Sequence, residues 1–233
     1  SKKDTCLKEA LCVAVYGKGL GGLTMPKGPI FAGESGTTLR LLSGILAGQH
    51  FESRIEAGPS LRLRPMRRIT IPLRLMGASI QARIKKTRGG SLEEYAPFKI
   101  AGGNLRPIRY SLPVASAQVK SAILLAGLYA YGTTEVIEPV KTRDHTERML
   151  KLYGADIATA RNKITLKGRK GLVSPRSFYV PSDLSSASFF IVAALITPGS
   201  SLIIEDVSLN PSRMGFVKVL KRMGARLSIS SSR

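Results

Sequence analysis

The sequence predicts an α/β (α+β) protein assembled from repeated βαβαββ units, and three observations point to it. First, "RLMGASIQA" (74–82), "KLYGADIAT" (151–159) and "KRMGARLSI" (221–229) share one pattern: a helix end, a Gly-Ala pair, then strand-like alternation. Gly77, Gly154 and Gly224 mark the same point in three copies, roughly 70 to 80 residues apart. Second, each copy is preceded by a Ser-led apolar helix closed by glycine: "SGTTLRLLSGILAG", "SAQVKSAILLAGLYAYG" and "SSASFFIVAALITPG". Third, short strand patterns flank those helices in the same order each time. A unit of this kind must bury its apolar helices against its own copies or another layer.

The elements can be justified in chain order. "AVYGKGLGGLTMPKG" reads as the tail strands of an earlier, incomplete copy. "GPIFAG", "RPIRYSLP" and "SFYVP" read as first strands. The leading serine of each apolar helix suits an N-cap, its hydroxyl accepting from a free backbone N–H. The closing glycine suits a left-handed C-cap. "HFESRIEAG", "TTEVIEP" and "SSLIIEDV" are second strands, and "LRPM", "TRDHTE" and "NPSR" open the second helices. In the middle copy Asp144 and Glu147 have capping-box spacing. Asp183, in "PSDLSS", reads as an N-cap at a crossover.

At 233 residues the chain can form one large or two modest domains. Its 43% hydrophobic and 22% charged residues fit a chain with a substantial core. The longest apolar stretch, Phe189 to Ile196, falls short of the ~20 residues of a bilayer span. "SKKDTCLKEAL" has no signal-peptide core, so a soluble intracellular protein is expected, with no membrane partner. Cys6 and Cys12 form no CxxC, and His50 and His145 lie far apart, so neither a disulfide framework nor a metal site is expected. The net charge of +21 has two readings, nucleic acid or small polyanionic substrates. Aromatic content is only 6% with no Trp, so stacking platforms for bases are not evident. A solvated basic surface accounts for most of the charge under either reading.

The most informative stretch is "LPVASAQVKSAILLAGLYA" (112–130), an apolar helix with a polar tip. The first N–H groups of a helix lack partners and carry partial positive charge, which makes the tip an anion site. Ser116 and Gln118 would add side-chain donors there, and Ala117 would keep the approach open. On spacing alone Ser116 need be only an N-cap and Gln118 a solvated side chain. Lys120 is either a surface lysine or a support for the site. "AGESGTTLR" poses the same choice: Gly33 and Gly36 permit close approach of a ligand, and Thr37 lies at a helix start. Arg64, before Pro65, offers a fork for phosphate or carboxylate. Arg62, Arg67 and Arg68 read as surface charges or local ion pairs.

"GESGTTLRLL", "SLRLRPM", "SAQVKSAILLAGL", "TRDHTERML", "SDLSSASFF" and "LNPSRMGF" together resemble the successive motifs of the 3-phosphoshikimate 1-carboxyvinyltransferases, the EPSP synthase family, from about Val13 onward. The resemblance implies an enolpyruvyl-transferase-like α/β prism, an inside-out barrel with helices within, here incomplete. It implies residues 1–180 as a shikimate-phosphate-binding domain, with a partial first repeat and two full ones, and 181–233 as the start of a second domain. The implied reaction moves the enolpyruvyl group from phosphoenolpyruvate to shikimate 3-phosphate, without cofactor or metal. Glyphosate is the implied inhibitor and the cytoplasm the implied location, or a plastid in a plant-like source.

By the same resemblance Ser116 and Ala117 contact the phosphate of shikimate 3-phosphate, and Gln118 touches both substrates. Thr142 and Arg143 hold its phosphate or ring hydroxyls. Arg64 binds phosphoenolpyruvate, and Gly36, followed by Thr37, borders that pocket where added bulk disturbs glyphosate. The family's catalytic carboxylates are expected beyond Arg233, so no catalytic residue is expected within the chain. Glu34 stands where many relatives have Asn. Its carboxylate would repel an anion unless it points away or pairs with a cation such as Arg40. The alternatives are a basic nucleic-acid-binding module akin to RNA 3′-phosphate cyclases, or a relic whose repeats merely fold.

Overall fold

The computed structural model describes residues 13–230; Cys6 and Cys12 lie outside the described residues. Two copies of the expected unit are complete. The first runs β1 (Ile30–Phe31), α1 (Gly36–Ala47), β2 (Glu52–Glu56), α2 (Arg67–Leu75), β3 (Ser79–Lys86) and β4 (Leu92–Ala101). The second runs β5 (Arg109–Ser111), α3 (Ala117–Gly127), β6 (Thr133–Ile137), α4 (His145–Leu152), β7 (Asp156–Ala160) and β8 (Lys163–Lys167). Each builds a four-stranded sheet of the same connectivity, β1-β2-β4-β3 and β5-β6-β8-β7. In both, the first pair is parallel and the other two are antiparallel.

The Gly-Ala pairs have one cause in all three copies. Gly77, Gly154 and Gly224 take φ of 109°, 75° and 90°, a region where only glycine is free of penalty. Their N–H groups donate to Arg74, Lys151 and Lys221, at 2.9, 3.0 and 3.0 Å. The following alanines donate to Leu73, Leu150 and Leu220, at 3.1, 2.9 and 3.0 Å. This paired bonding is the Schellman ending of a helix, and it turns the chain into the next strand.

The sheets bury one face only. Ser53 and Ile55 of β2, Thr134 and Val136 of β6, and Ile164 and Leu166 of β8 point inward at alternate positions. Helices fill the interior: α1 and α2 contact β4, while α3 contacts α1, α2, β6 and β8. The helix α3 is therefore buried nearly all round. Its neighbour α1 comes unusually close. A Cβ on Gly44 would stand 2.3 Å from the Ala122 carbonyl oxygen. The units repeat a second close contact: a Cβ on Gly102 or Gly168 would stand 2.2 Å from the carbonyl oxygen of Ala47 or Ala130.

Four expectations are corrected. Gly48 closes α1 in the right-handed region, φ −90°; glycine is needed there because a Cβ would lie 2.1 Å from the Tyr129 ring. Gly132 and Gly199 take positive φ, 119° and 71°, but lie beyond the helix ends, which are capped by Leu128 and Thr197. The third copy has its helices, α5 (Leu184–Ile196) and α6 (Gly215–Arg222), but not the strands expected in "SFYVP", "SSLIIEDV" and "RLSI". Only the parallel bridge Ser182–Val207 forms. In the complete units the second and third strands do not touch each other; both pair with the fourth. Among the described residues no counterpart of β4 or β8 is present for the third copy, so its second and third strands lack that partner. The tail strands expected before Gly28 are likewise absent among the described residues. Finally, Asp183 holds the N-cap position of α5, so Ser185 lies inside the helix rather than at its cap.

Among the described residues no helix is long and apolar enough to cross a membrane. The α1–α3 contact yields a prediction. Gly44→Ala should cost about 1–3 kcal/mol in urea denaturation, because the added methyl meets backbone that cannot step aside. Gly215→Ala, where a methyl meets open space, should leave the midpoint unchanged or slightly raised.

Candidate anion-binding site

Two helix tips meet at one place. Ser35 caps α1, its Oγ accepting from the Thr38 N–H at 3.1 Å. Ser116 caps α3, its Oγ accepting from the Val119 N–H at 3.4 Å. Gln118 joins the tips: its Nε2 donates to Thr37 Oγ1 at 2.7 Å, and its Oε1 accepts from Arg40 Nη1 at 2.6 Å. It is bound on both ends, not a free solvated side chain.

Beside Gln118 opens a cavity of about 410 Å³. Ser116, Ala117 and Gln118 form one wall, Lys141, Thr142 and Arg143 the other, and Ser212 reaches in from the third copy. The donors here are the first-turn amides of α3, the Ser116 hydroxyl and two cations, while the Thr142 and Ser212 hydroxyls already donate to Glu138 and to Asp144 and Asn210. Among the described residues no carboxylate lines this cavity. An arrangement of this composition attracts a compact anion such as a phosphate monoester.

On the α1 side lies a group of arginines. Gly36 is buried, and a Cβ there would stand 2.7 Å from Arg40 Nη1. Added bulk would thus push the Arg40 guanidinium off Gln118. Burial, then the positive charges of Arg64 and Arg68, depress the pKa of Arg40. Arg64 is exposed, ending the short 3-10 turn Leu61–Leu63, and does not line the cavity. Among the described residues Arg40, Arg64 and Arg68 form no ion pair. Arg62 does pair with Glu56, at 3.8 Å, and Arg67 Nη1 donates to the Leu92 carbonyl at 2.7 Å.

Glu34 does not pair with Arg40. Its Oε2 accepts from the Leu61 N–H at 2.8 Å and its Oε1 from the Ser60 N–H at 3.4 Å. Hydrogen bonds from the Ser60 side chain and the Leu61 amide hold its carboxyl below the usual carboxylate range. The carboxylate is therefore a tether for the turn that carries Arg64.

Behind the cavity the α3 tip continues into a buried ion group. Lys120 is fully buried, so it is not a surface lysine. Its Nζ lies 3.2 Å from Glu138 Oε1 and 2.5 Å from Glu147 Oε1. Removing one member of such a buried group strands the others and typically costs about 3–5 kcal/mol. Glu147 is thus spent on Lys120, and the capping box with Asp144 does not form. Asp144 serves as an inter-repeat clamp. Its Oδ1 accepts from Asn210 Nδ2 at 2.8 Å and Ser212 Oγ at 3.3 Å, and its Oδ2 from Arg148 Nε at 2.8 Å. Asp183 sits at the α5 N-cap but makes no capping bond; its Oδ1 pairs with Arg213 at 3.2 Å.

Comparison with known proteins gives this geometry a family. A family model described as EPSP synthase (3-phosphoshikimate 1-carboxyvinyltransferase) matches residues 6–232. The chain belongs to the EPSP synthase family. It is 54% identical over 215 residues to the 3-phosphoshikimate 1-carboxyvinyltransferase of Solibacter usitatus, covering 92% of this chain and 48% of the relative. The counterpart from Desulforudis audaxviator is 52% identical over 221 residues, covering 95% and 50%. Among solved structures, EPSP synthase from Acinetobacter baumannii superposes with a TM-score of 0.77 at 50% identity, over 92% of this chain and 46% of that one. The chain spans about half the length of the curated relatives it matches.

The residues expected from sequence divide into two neighbouring groups. Ser116, Ala117, Gln118, Thr142 and Arg143 share the cavity. Gly36 and Thr37 adjoin it through Arg40 and Gln118, while Arg64 stands farther out, felt by Arg40 as charge. The sequence alone does not mark out Lys141, Ser212 or the buried Glu138. Ser212 lies within the EPSP synthase-like motif "LNPSRMGF", and Lys141 precedes Thr142, so adjacency was their one signal.

The Asp144 clamp carries a pH signature. Burial alone would raise its pKa, but hydrogen bonds from Asn210 and Arg148, with the Arg148 charge, lower it below the ordinary 3.8. The clamp's contribution is therefore complete above the ordinary value and is lost as pH falls through the lower folded-state value. Asp144→Asn should flatten the fall in Tm across the acid limb, between about pH 5 and pH 2; an unchanged limb would contradict the clamp.

Proposed function

We propose that this chain is the substrate-binding part of an enolpyruvyl transferase that moves the enolpyruvyl group of phosphoenolpyruvate to the 5-hydroxyl of shikimate 3-phosphate. The observation that carries the reading is the carboxylate-free cavity at the tip of α3, in a chain of the EPSP synthase family. Under this reading Ser116, Ala117, Thr142 and Arg143 cradle the phosphate of shikimate 3-phosphate. Gln118 stands between the two substrates. Gly36, Thr37 and Arg64, with Arg40 and Arg68 beside them, face phosphoenolpyruvate, and glyphosate competes there.

The chemistry needs a proton delivered to the methylene carbon of phosphoenolpyruvate and a base for the attacking hydroxyl. A tetrahedral adduct forms, then loses phosphate and a proton. Both substrates are multiply anionic, so fixed cations and amides lower the cost of bringing them together. We assign residues 1–180 to the shikimate-phosphate-binding domain and 181–233 to the start of a second domain. The proton-transfer groups are not assigned to this chain. A cytoplasmic setting accompanies the reading, or a plastid in a plant-like source. Family membership leaves the nucleic-acid alternative without support.

Titration calorimetry and thermal shift test the reading. Shikimate 3-phosphate should bind and raise Tm by ligand linkage. Arg143→Ala should weaken it at least about tenfold, or about 1.4 kcal/mol. Phosphate release from both substrates should stay far below the ~1 s⁻¹ or more usual for enzymes. Absence of any shift with shikimate 3-phosphate would overturn the assignment of the cavity.

A further inference from the structure

Lys120 lies one turn behind the cavity and does not touch it. What it does touch is the segment that forms the far wall. Glu138 follows the end of β6, Glu147 sits in the first turn of α4, and Lys141, Thr142 and Arg143 lie between them. Both carboxylates face the one buried ammonium. The Glu138 Oε1 that meets Lys120 also accepts from the Thr142 N–H at 3.2 Å and from the Thr142 hydroxyl. The main chain of Glu138 is pinned from behind by Asn162: its N–H donates to the Asn162 carbonyl, and its carbonyl accepts from Asn162 Nδ2, both at 2.9 Å. A parallel link joins Ser121 Oγ of α3 to Thr146 Oγ1 of α4 at 2.6 Å.

We propose that Lys120 is a positioning residue for the anion cavity, acting through Glu138 and Glu147 to fix the 141–143 wall against the α3 tip. Deepening the reading of the cavity as a shikimate 3-phosphate site, it rests on that reading. The physical reason is the placement of the charge. Two carboxylates buried close together repel, and a single ammonium between them makes one spacing favourable. The two ends of the wall are thereby held at that spacing. Thr142, between those ends, is fixed as well, through Glu138. A loop bearing two exposed cations would otherwise spread away from its own charge. With the wall fixed beforehand, the anion need not order it on binding, and that entropy does not weaken affinity.

The test measures Kd for shikimate 3-phosphate, and for inorganic phosphate as a second probe, by calorimetry on the 233-residue chain. Lys120→Met keeps length and removes the charge; Glu138→Gln keeps shape and carries the test if the first variant fails to fold. Leu166→Ala, in β8 and away from the cavity lining, is a control for general loss of stability. Lys120→Met and Glu138→Gln should raise Kd for shikimate 3-phosphate at least about tenfold, and amide exchange at Thr142 should quicken. Leu166→Ala should lower Tm yet leave Kd within about twofold of the parent. Unchanged Kd in the folded charge variants, or an equal rise in Leu166→Ala, would overturn the positioning role alone. Failure of the parent chain to bind shikimate 3-phosphate would instead overturn the reading of the cavity, and this role with it.

Discussion

The contact between α1 and α3, where Gly44 rests on the Ala122 carbonyl, is the constraint on which the rest depends. Any larger side chain at Gly44 would separate the helices. Because they pack this closely, their N-terminal tips lie near enough for one glutamine to span them, donating to Thr37 and accepting from Arg40. The two sheets seal the flanks of this pair by presenting only one apolar face each. The Schellman endings at Gly77 and Gly154 return the chain to those sheets in the same way twice. The fold thus delivers unpaired helix amides from successive repeats to one place.

Charge is sorted around that place. The chain carries a net +21, yet the cations at the site are not simply surface excess. Each nearby carboxylate is turned onto another partner. Glu34 takes the amides of Ser60 and Leu61, Glu138 and Glu147 take Lys120, and Asp144 takes Asn210, Ser212 and Arg148. Lys141 and Arg143 are left facing the cavity, and Arg40, Arg64 and Arg68 are left without counter-ions among the described residues. A field of one sign, built on amides that cannot be neutralised, is suited to a multiply charged small anion. The substitution of Glu34 for the expected Asn fits the same scheme, because its carboxylate serves the turn rather than the site.

Much of this was legible in the sequence, and for physical reasons. The Gly-Ala pairs betrayed the repeats because positive φ after a helix demands glycine. The serines before α1 and α3 showed their caps because a hydroxyl must satisfy a free amide. Strand pairing was less legible. "SSLIIEDV" alternates like β2 and β6, but a strand needs a neighbour along its length, and among the described residues it has only the single bridge from Ser182 to Val207. Gly48 looked like a left-handed cap, yet its reason is the Tyr129 ring, a contact spanning two repeats. Asp144 and Glu147 had local capping-box spacing, and distant partners won both carboxylates: Asn210 and Lys120. Lys120 was the hardest to read, since a lysine in an apolar helix shows its burial only when its two glutamates fold onto it.

The tip of α3 and the 141–143 wall make one anion site, with the tip of α1 joined to it through Gln118. Titrating the isotopically labelled chain with shikimate 3-phosphate, while following backbone amide resonances, tests it most directly. Saturable shifts with one shared Kd are expected at Ala117, Gln118, Thr142 and Arg143, and smaller shifts at Thr37. Shifts confined to the basic end of β3, at Arg83, Lys85 and Lys86, or different saturation at the two walls, would contradict it.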